Sequence, residues 1–133
     1  MSFETTRQMI AEHLGTLPSF GFPIEWEGGK TVARKEGPWG RWSILQGTTE
    51  PAIIGPGHTR GTGVLYLQVF IPKEQGTKAA MNAADNLARI DRRQLRRGNT
   101  IVTFDTTGII NAGEAEGFVQ KNVACNFTRD TYS

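Results

Sequence analysis

Cysteine is nearly absent from this 133-residue chain: Cys125 is the only one. No intrachain disulfide can form, and a cysteine-based zinc site is excluded. Histidine is almost as scarce. His13 and His58 lie far apart, and neither has a neighbour at a ligand spacing such as His-x-x-x-His. Long apolar runs are missing too. The longest, Val64–Ile71, is interrupted by Gln68 and falls far short of the roughly 18–20 residues of a membrane-spanning helix. The opening Met-Ser-Phe-Glu-Thr-Thr-Arg-Gln has no cationic segment followed by an apolar one, so no signal peptide is expected. These absences fit a protein of the reducing cytoplasm.

Catalytic signatures are also lacking. Gly55-Pro-Gly57-His-Thr-Arg60-Gly61 has neither Gly-Lys-Ser/Thr nor GxGxxG spacing, and it reads as a hairpin tip. Ser43 has no Gly-x-Ser-x-Gly around it. Glu25 with Glu27, and Glu114 with Glu116, read as solvated faces rather than acid–base pairs. Cys125 sits among apolar neighbours, where cysteine acts as a small hydrophobe. His13 reads as a core-edge residue and His58 as a solvated one. Nothing assembles a nucleophile, a base and an oxyanion hole. No enzymatic activity, cofactor or metal is expected.

What remains is ordinary for one soluble domain spanning 1–133: 38 % hydrophobic and 21 % charged residues. Residues 4–16 read as a first helix, with Phe3, Met9, Ile10, His13 and Leu14 near helical spacing and Gly15 and Pro18 ending it. Phe22–Trp26 is a short extended piece. Strands follow at 39–47 and 64–71, joined across the Gly- and Pro-rich stretch 47–63 as a long hairpin. Apolar residues on both faces of 64–71 predict a central strand covered on both sides. Thr77 is placed to cap a second helix over 77–93, with Ala80, Ala83, Ala84, Leu87 and Ile90 as its apolar stripe. Strands at 100–105, 108–115 and 117–129 complete the chain. The order α-β-β-α-β-β-β predicts an α+β fold, with a mainly antiparallel sheet of about four to five strands and two main helices packed on it.

Charge is concentrated. Fifteen Lys and Arg against thirteen Asp and Glu give +2. The segment Arg89-Ile-Asp-Arg92-Arg93-Gln-Leu-Arg96-Arg97 carries +4 by itself, leaving −2 for the rest. On a continuing helix, Arg89, Arg92, Arg93, Arg96 and Arg97 would share one broad face. Cations at a helix C-terminus gain only about 0.3–1 kcal/mol each, and two would suffice for that. Five clustered guanidiniums suit forked contacts with carboxylates or phosphates. One use is a subunit interface, with Glu25, Glu27, Glu114 and Glu116 as candidate partners. The other is a small nucleic-acid-binding protein gripping phosphates through the arginines. Ile53 and Ile54, apolar in an otherwise polar tip, look like contacts for another chain.

The opening helix, the Gly-punctuated hairpin and Gly63-Val-Leu-Tyr-Leu-Gln-Val-Phe-Ile-Pro-Lys-Glu-Gln-Gly form a recognisable series. An Ala-Ala-Asp85-Asn-Leu-Ala helix and the closing Val119-Gln-Lys-Asn-Val-Ala-Cys-Asn-Phe-Thr-Arg-Asp strand complete it. Over nearly its whole length the chain resembles the tail terminator and tail completion proteins of long-tailed bacteriophages and their prophage relatives. The resemblance implies a structural virion protein assembled in the host bacterial cytoplasm. It implies a homo-oligomeric ring, commonly a hexamer, that caps the tail tube, ends its polymerisation and offers a surface for head joining. The implied partners are the tail tube protein, the head–tail connector protein and the chain itself, with DNA only passing through the ring. A neck or head–tail joining protein of similar fold is the neighbouring alternative.

Overall fold

The computed structural model describes residues 3–29, 37–51, 57–115 and 117–132. The element order is α1 (Phe3–Leu14), β1 (Ile24–Trp26), β2 (Trp39–Pro51), β3 (His58–Pro72), α2 (Lys78–Leu87), β4 (Gln94–Arg97), β5 (Thr100–Ala115) and β6 (Phe118–Tyr132). One-turn 3₁₀ segments follow β3 and α2. All six strands lie in one sheet ordered β1-β2-β3-β6-β5-β4. The β1–β2 pair is parallel and every other pair antiparallel. The fold is α+β, but a six-stranded mixed sheet replaces the expected four to five strands.

The difference has three local causes. The short piece at 24–26 pairs with Gly40–Trp42 and counts as a strand. The expected strands 100–105 and 108–115 are one strand: Asp105-Thr106 is a bulge in the ladder with β6, not an end. The helix expected to run to 93 stops at Leu87, and its arginine tail becomes β4. A helix continuing from Ile90 would turn Arg93, Gln94 and Arg97 inward. Uncompensated burial of a guanidinium is far costlier than a change of element. The chain instead anchors Ile90, turns at Arg92 (φ 62°) and sends Leu95 inward opposite Val102.

β3 is the axis of the sheet, paired along its length with β2 and β6. Leu65, Leu67, Val69 and Ile71 are at most 1 % exposed, on the face that carries the helices. Removing such a side chain from water contributes about 1.5–3 kcal/mol. Val123, Cys125 and Phe127 of β6 continue that core, with Val102 and Phe104 of β5. Met9, Ile10 and Leu14 close it from α1, and Ala80, Ala83 and Leu87 from α2. The small alanines let α2 lie close on the strands. Thr77 stands before α2, but its side chain makes no capping hydrogen bond. Asn86 Nδ2 ties α2 to the carbonyl of Pro18 at 2.8 Å.

The opposite face of β3 departs from the expectation of cover on both sides. Val64, Tyr66, Gln68 and Phe70 are half-buried, and among the described residues no helix lies over them. They are shielded laterally. Trp39 stacks on Phe70 with ring centroids 4.2 Å apart, and the Arg41 guanidinium lies 5.4 Å from the Trp39 centroid. This is a sheet with one helical face and one open face.

Candidate assembly surface

The arginine segment does not form one helical patch. Arg89 follows α2 and donates from Nε to Asn86 Oδ1 at 3.1 Å. Arg92 and Arg93 occupy the turn into β4, and their backbone clips that turn to β5: Arg92 N–H to Asp105 O at 3.4 Å, Phe104 N–H to Arg93 O at 2.9 Å. Arg96 and Arg97 are neighbours on a strand, so they leave from opposite faces. Arg97 points to the helical face and pairs with Glu12 of α1 at 2.6 Å. Arg92, Arg93 and Arg96 are exposed and, among the described residues, enter no ion pair.

The candidate acidic partners differ widely. Glu25 is buried beside Arg41, 3.7 Å away; it cannot meet another subunit without unpacking. Glu27 is exposed. Glu114 is exposed and pairs with Lys73 at 3.1 Å. Glu116, Ile53 and Ile54 lie outside the described residues. His13 is a core-edge residue, its ring 6.4 Å from that of Phe104. Burial, then the nearby Arg93 cation, lowers its pKa.

His58 is not solvated. It opens β3 opposite Tyr132, on whose ring it stacks at 4.2 Å, and its Nε2 lies 2.9 Å from Asp130 Oδ1. Arg60 holds the same carboxylate in a fork, Nε to Oδ1 at 2.7 Å and Nη2 to Oδ2 at 3.1 Å. Burial alone would raise the pKa of Asp130. The hydrogen bonds from Arg60 and His58 outweigh it and hold the carboxyl below its ordinary range. The cluster pins the end of β6 to the first residues of β3. Its members lie 70 and 72 residues apart, so no local spacing marks it.

One strand register further in, Arg129 is 2 % exposed. Its Nη1 donates to Gln46 Oε1 at 3.0 Å, and its guanidinium lies 4.9 Å from the Phe3 ring centroid. Gln46 Nε2 passes the chain on to the Phe3 carbonyl at 2.9 Å. A polar relay thus fastens the start of α1 to two strands, β2 and β6. Nearby, a hollow of about 590 Å³ lies against Leu45, Val64, Thr103, Phe127 and Asn126. Among the described residues, no three His, Cys, Asp or Glu side chains are grouped to hold a metal ion, and no helix is long and apolar enough to cross a membrane.

Residues 6–125 match the family described as Phage tail terminator protein. The chain belongs to the phage tail terminator family. Its place is therefore in the tail of a virion, as a structural component. One solved structure aligns with 100 % of this tail terminator and 99 % of its own chain, with a TM-score of 0.74 at 16 % identity. At that identity the likeness shows the fold alone. A search of curated proteins finds no match. This tail terminator presents surfaces suited to contact: exposed cations at one sheet edge, an open sheet face and a hollow.

Proposed function

We propose that this tail terminator closes the tail tube as a ring of identical subunits, with six as the number its resemblance implies. The ring ends tube polymerisation and presents its other side to the head–tail connector, while DNA passes through the opening. Assembly takes place in the host cytoplasm. The observation that carries the reading is the family match over residues 6–125. Arg92, Arg93 and Arg96 support it as exposed cations available to a neighbour's carboxylates. A ring interface joins two different patches of identical chains, so Glu27, exposed beside β1 at the opposite sheet edge, is the candidate counterpart, whereas Glu114 lies on β5, on the arginines' own side of the sheet. Electron microscopy of the purified protein, alone and added to polymerising tail tube protein, tests the proposal. Rings and arrested tubes are expected. A monomer at every concentration, with tube growth unaffected, would overturn it.

A further inference from the structure

Two strands of this sheet outrun their outer neighbours. β4 covers β5 only over Thr100–Thr103. The Arg92 and Arg93 backbone covers Phe104 and Asp105, and Asp91 Oδ1 takes the Thr107 N–H at 3.0 Å. From Gly108 onward, β5 pairs only with β6 among the described residues, and Gly108–Glu114 are all exposed. On the far side of the sheet, β1 covers β2 only over Gly40–Trp42, with the Glu27 N–H reaching the Trp42 carbonyl at 2.9 Å. From Ser43 onward, β2 pairs only with β3 among the described residues.

Natural edge strands are guarded by lysine, proline or inward charge. The stretch Gly108-Ile-Ile-Asn-Ala-Gly113 contains none of these. It carries Ile110, 53 % exposed, on the open face of the sheet; Ile110 lies opposite Asn122 of β6, which in turn lies opposite Gln68. The other free stretch carries Leu45, 59 % exposed, on the same open face, opposite Val64. On the open face, each free edge therefore offers one large aliphatic side chain to whatever pairs with it.

We infer that the occupant of each edge is a second copy of this chain: β5 of one subunit adds antiparallel to β2 of the next. The inference rests on the ring reading above and names its contact. Direction agrees. The ladders β2–β3, β3–β6 and β6–β5 are all antiparallel, so β5 runs opposite to β2, and a rotated copy presents it in the antiparallel sense. Hydrogen-bond parity agrees as well. Thr107 directs its N–H outward, so by strand alternation Ile109 and Asn111 also face out. Gly40 and Trp42 direct backbone groups toward β1, so Ile44 and Gln46 face out on β2. Pairing Ile109 with Gln46 and Asn111 with Ile44 places Ile110 directly opposite Leu45, in a non-hydrogen-bonded position where side chains approach most closely. The contact is heterologous, with unlike patches, as ring closure requires. The two free stretches lie toward opposite ends of the sheet, which suits the stagger of strands wound into a cylinder.

Cysteine pairing tests the register. Leu45→Cys and Ile110→Cys alter exposed side chains, while the native Cys125 is buried. Under mild oxidation, a mixture of the two single variants should give a covalent dimer, and the double variant a ladder ending at the ring number. Either single variant alone should give neither. Ile110→Lys should weaken assembly at least tenfold while leaving the melting of the isolated subunit unchanged, and Leu45→Glu in the same chain should restore it. Rings visible by electron microscopy without cross-linking in the mixture would overturn the edge pairing and leave the ring reading standing. Absence of both rings and cross-links at every concentration would overturn both. Covalent dimers from Leu45→Cys alone would mean a like-with-like contact and also overturn the inference.

Discussion

Replacing Gly63 with alanine should destabilise the fold by about 3 kcal/mol, the upper end of what overpacking a core costs. A Cβ built there meets Phe127 Cζ at 2.3 Å and the Leu45 carbonyl oxygen at 2.7 Å. Neither neighbour yields cheaply. The Leu45 oxygen is backbone, within the paired β2–β3 ladder. Phe127 is 3 % exposed and packed edge-on to Phe104 at 6.3 Å; forcing its ring off-rotamer alone costs about 0.5–1.5 kcal/mol, before any shift of the strands. For a chain of this size each kcal/mol lowers the melting temperature by about 3–4 °C, so a fall of about 10 °C is expected in calorimetry. Gly108→Ala is the matched control, since its Cβ meets nothing within 4 Å; it should be neutral or stabilise by about 0.4–1 kcal/mol. In a double-mutant cycle, Phe127→Leu should recover at least about 1 kcal/mol of the Gly63→Ala loss, because the two share the clash. Gly63→Ala melting within about 0.5 kcal/mol of the parent would refute the close approach of β3 and β6 at this level.

Cys125, with its thiol pushed up to about 11 by burial above all, should resist thiol reagents at pH 8 in the native protein and react once on unfolding; rapid native labelling would show β6 in the opposite register. Asp130→Asn should cost about 2 kcal/mol near neutral pH through the lost charged hydrogen bonds. Because the folded pKa of Asp130 lies below its unfolded value, this contribution is present above about pH 4 and is lost as pH falls through the folded pKa. Urea titrations of parent and variant should therefore converge in acid, and a constant gap would count against the cluster. Arg92→Glu combined with Arg96→Glu should leave subunit melting within about 0.5 kcal/mol of the parent and slow ring formation, most strongly at low salt. Unchanged assembly with a melting loss would assign these arginines to folding instead.

The strand at 64–71 was legible as a near-continuous apolar run between Gly63 and Pro72, though the apolar residues of its second face pointed wrongly to cover there, and Cys125 was legible because its neighbours are apolar on alternate positions. The helix of 78–87 was read too long for an identifiable reason. Arginine is a good helix former and its spacing fits a helical face, so nothing local opposes continuation. The opposing force is tertiary: Leu95 gains a place in the core only if the chain turns at Arg92. β1, three residues long, was legible as an extended piece within 22–26, but so short a pattern cannot show that it pairs into the sheet. His58 was misread for the same kind of reason, since its partner comes from the far end of the chain. Local pattern reports the core face of each element. It is silent about what another strand brings to the other side.

That distinction also explains why the sheet's free edges and open face sit where they do. Strands of fifteen and sixteen residues extend about 50 Å at the usual rise. Helices of twelve and ten residues extend only about 18 and 15 Å. Two such helices cannot cover a sheet of this length, even on one face. The chain spends its helices over Leu65–Ile71 and leaves both ends of the sheet and the whole opposite face to other means. Inside the subunit those means are two polar networks, the Asp130 fork and the Arg129–Gln46 relay, and one aromatic stack, Trp39 on Phe70 with Arg41 over it. Along the free edges no further strand pairs among the described residues, and on the open face they present aliphatic Leu45 and Ile110. A monomeric protein with such edges would invite uncontrolled strand addition. In the ring proposed above the two edges would pair with each other, and neither would be left open to uncontrolled strand addition.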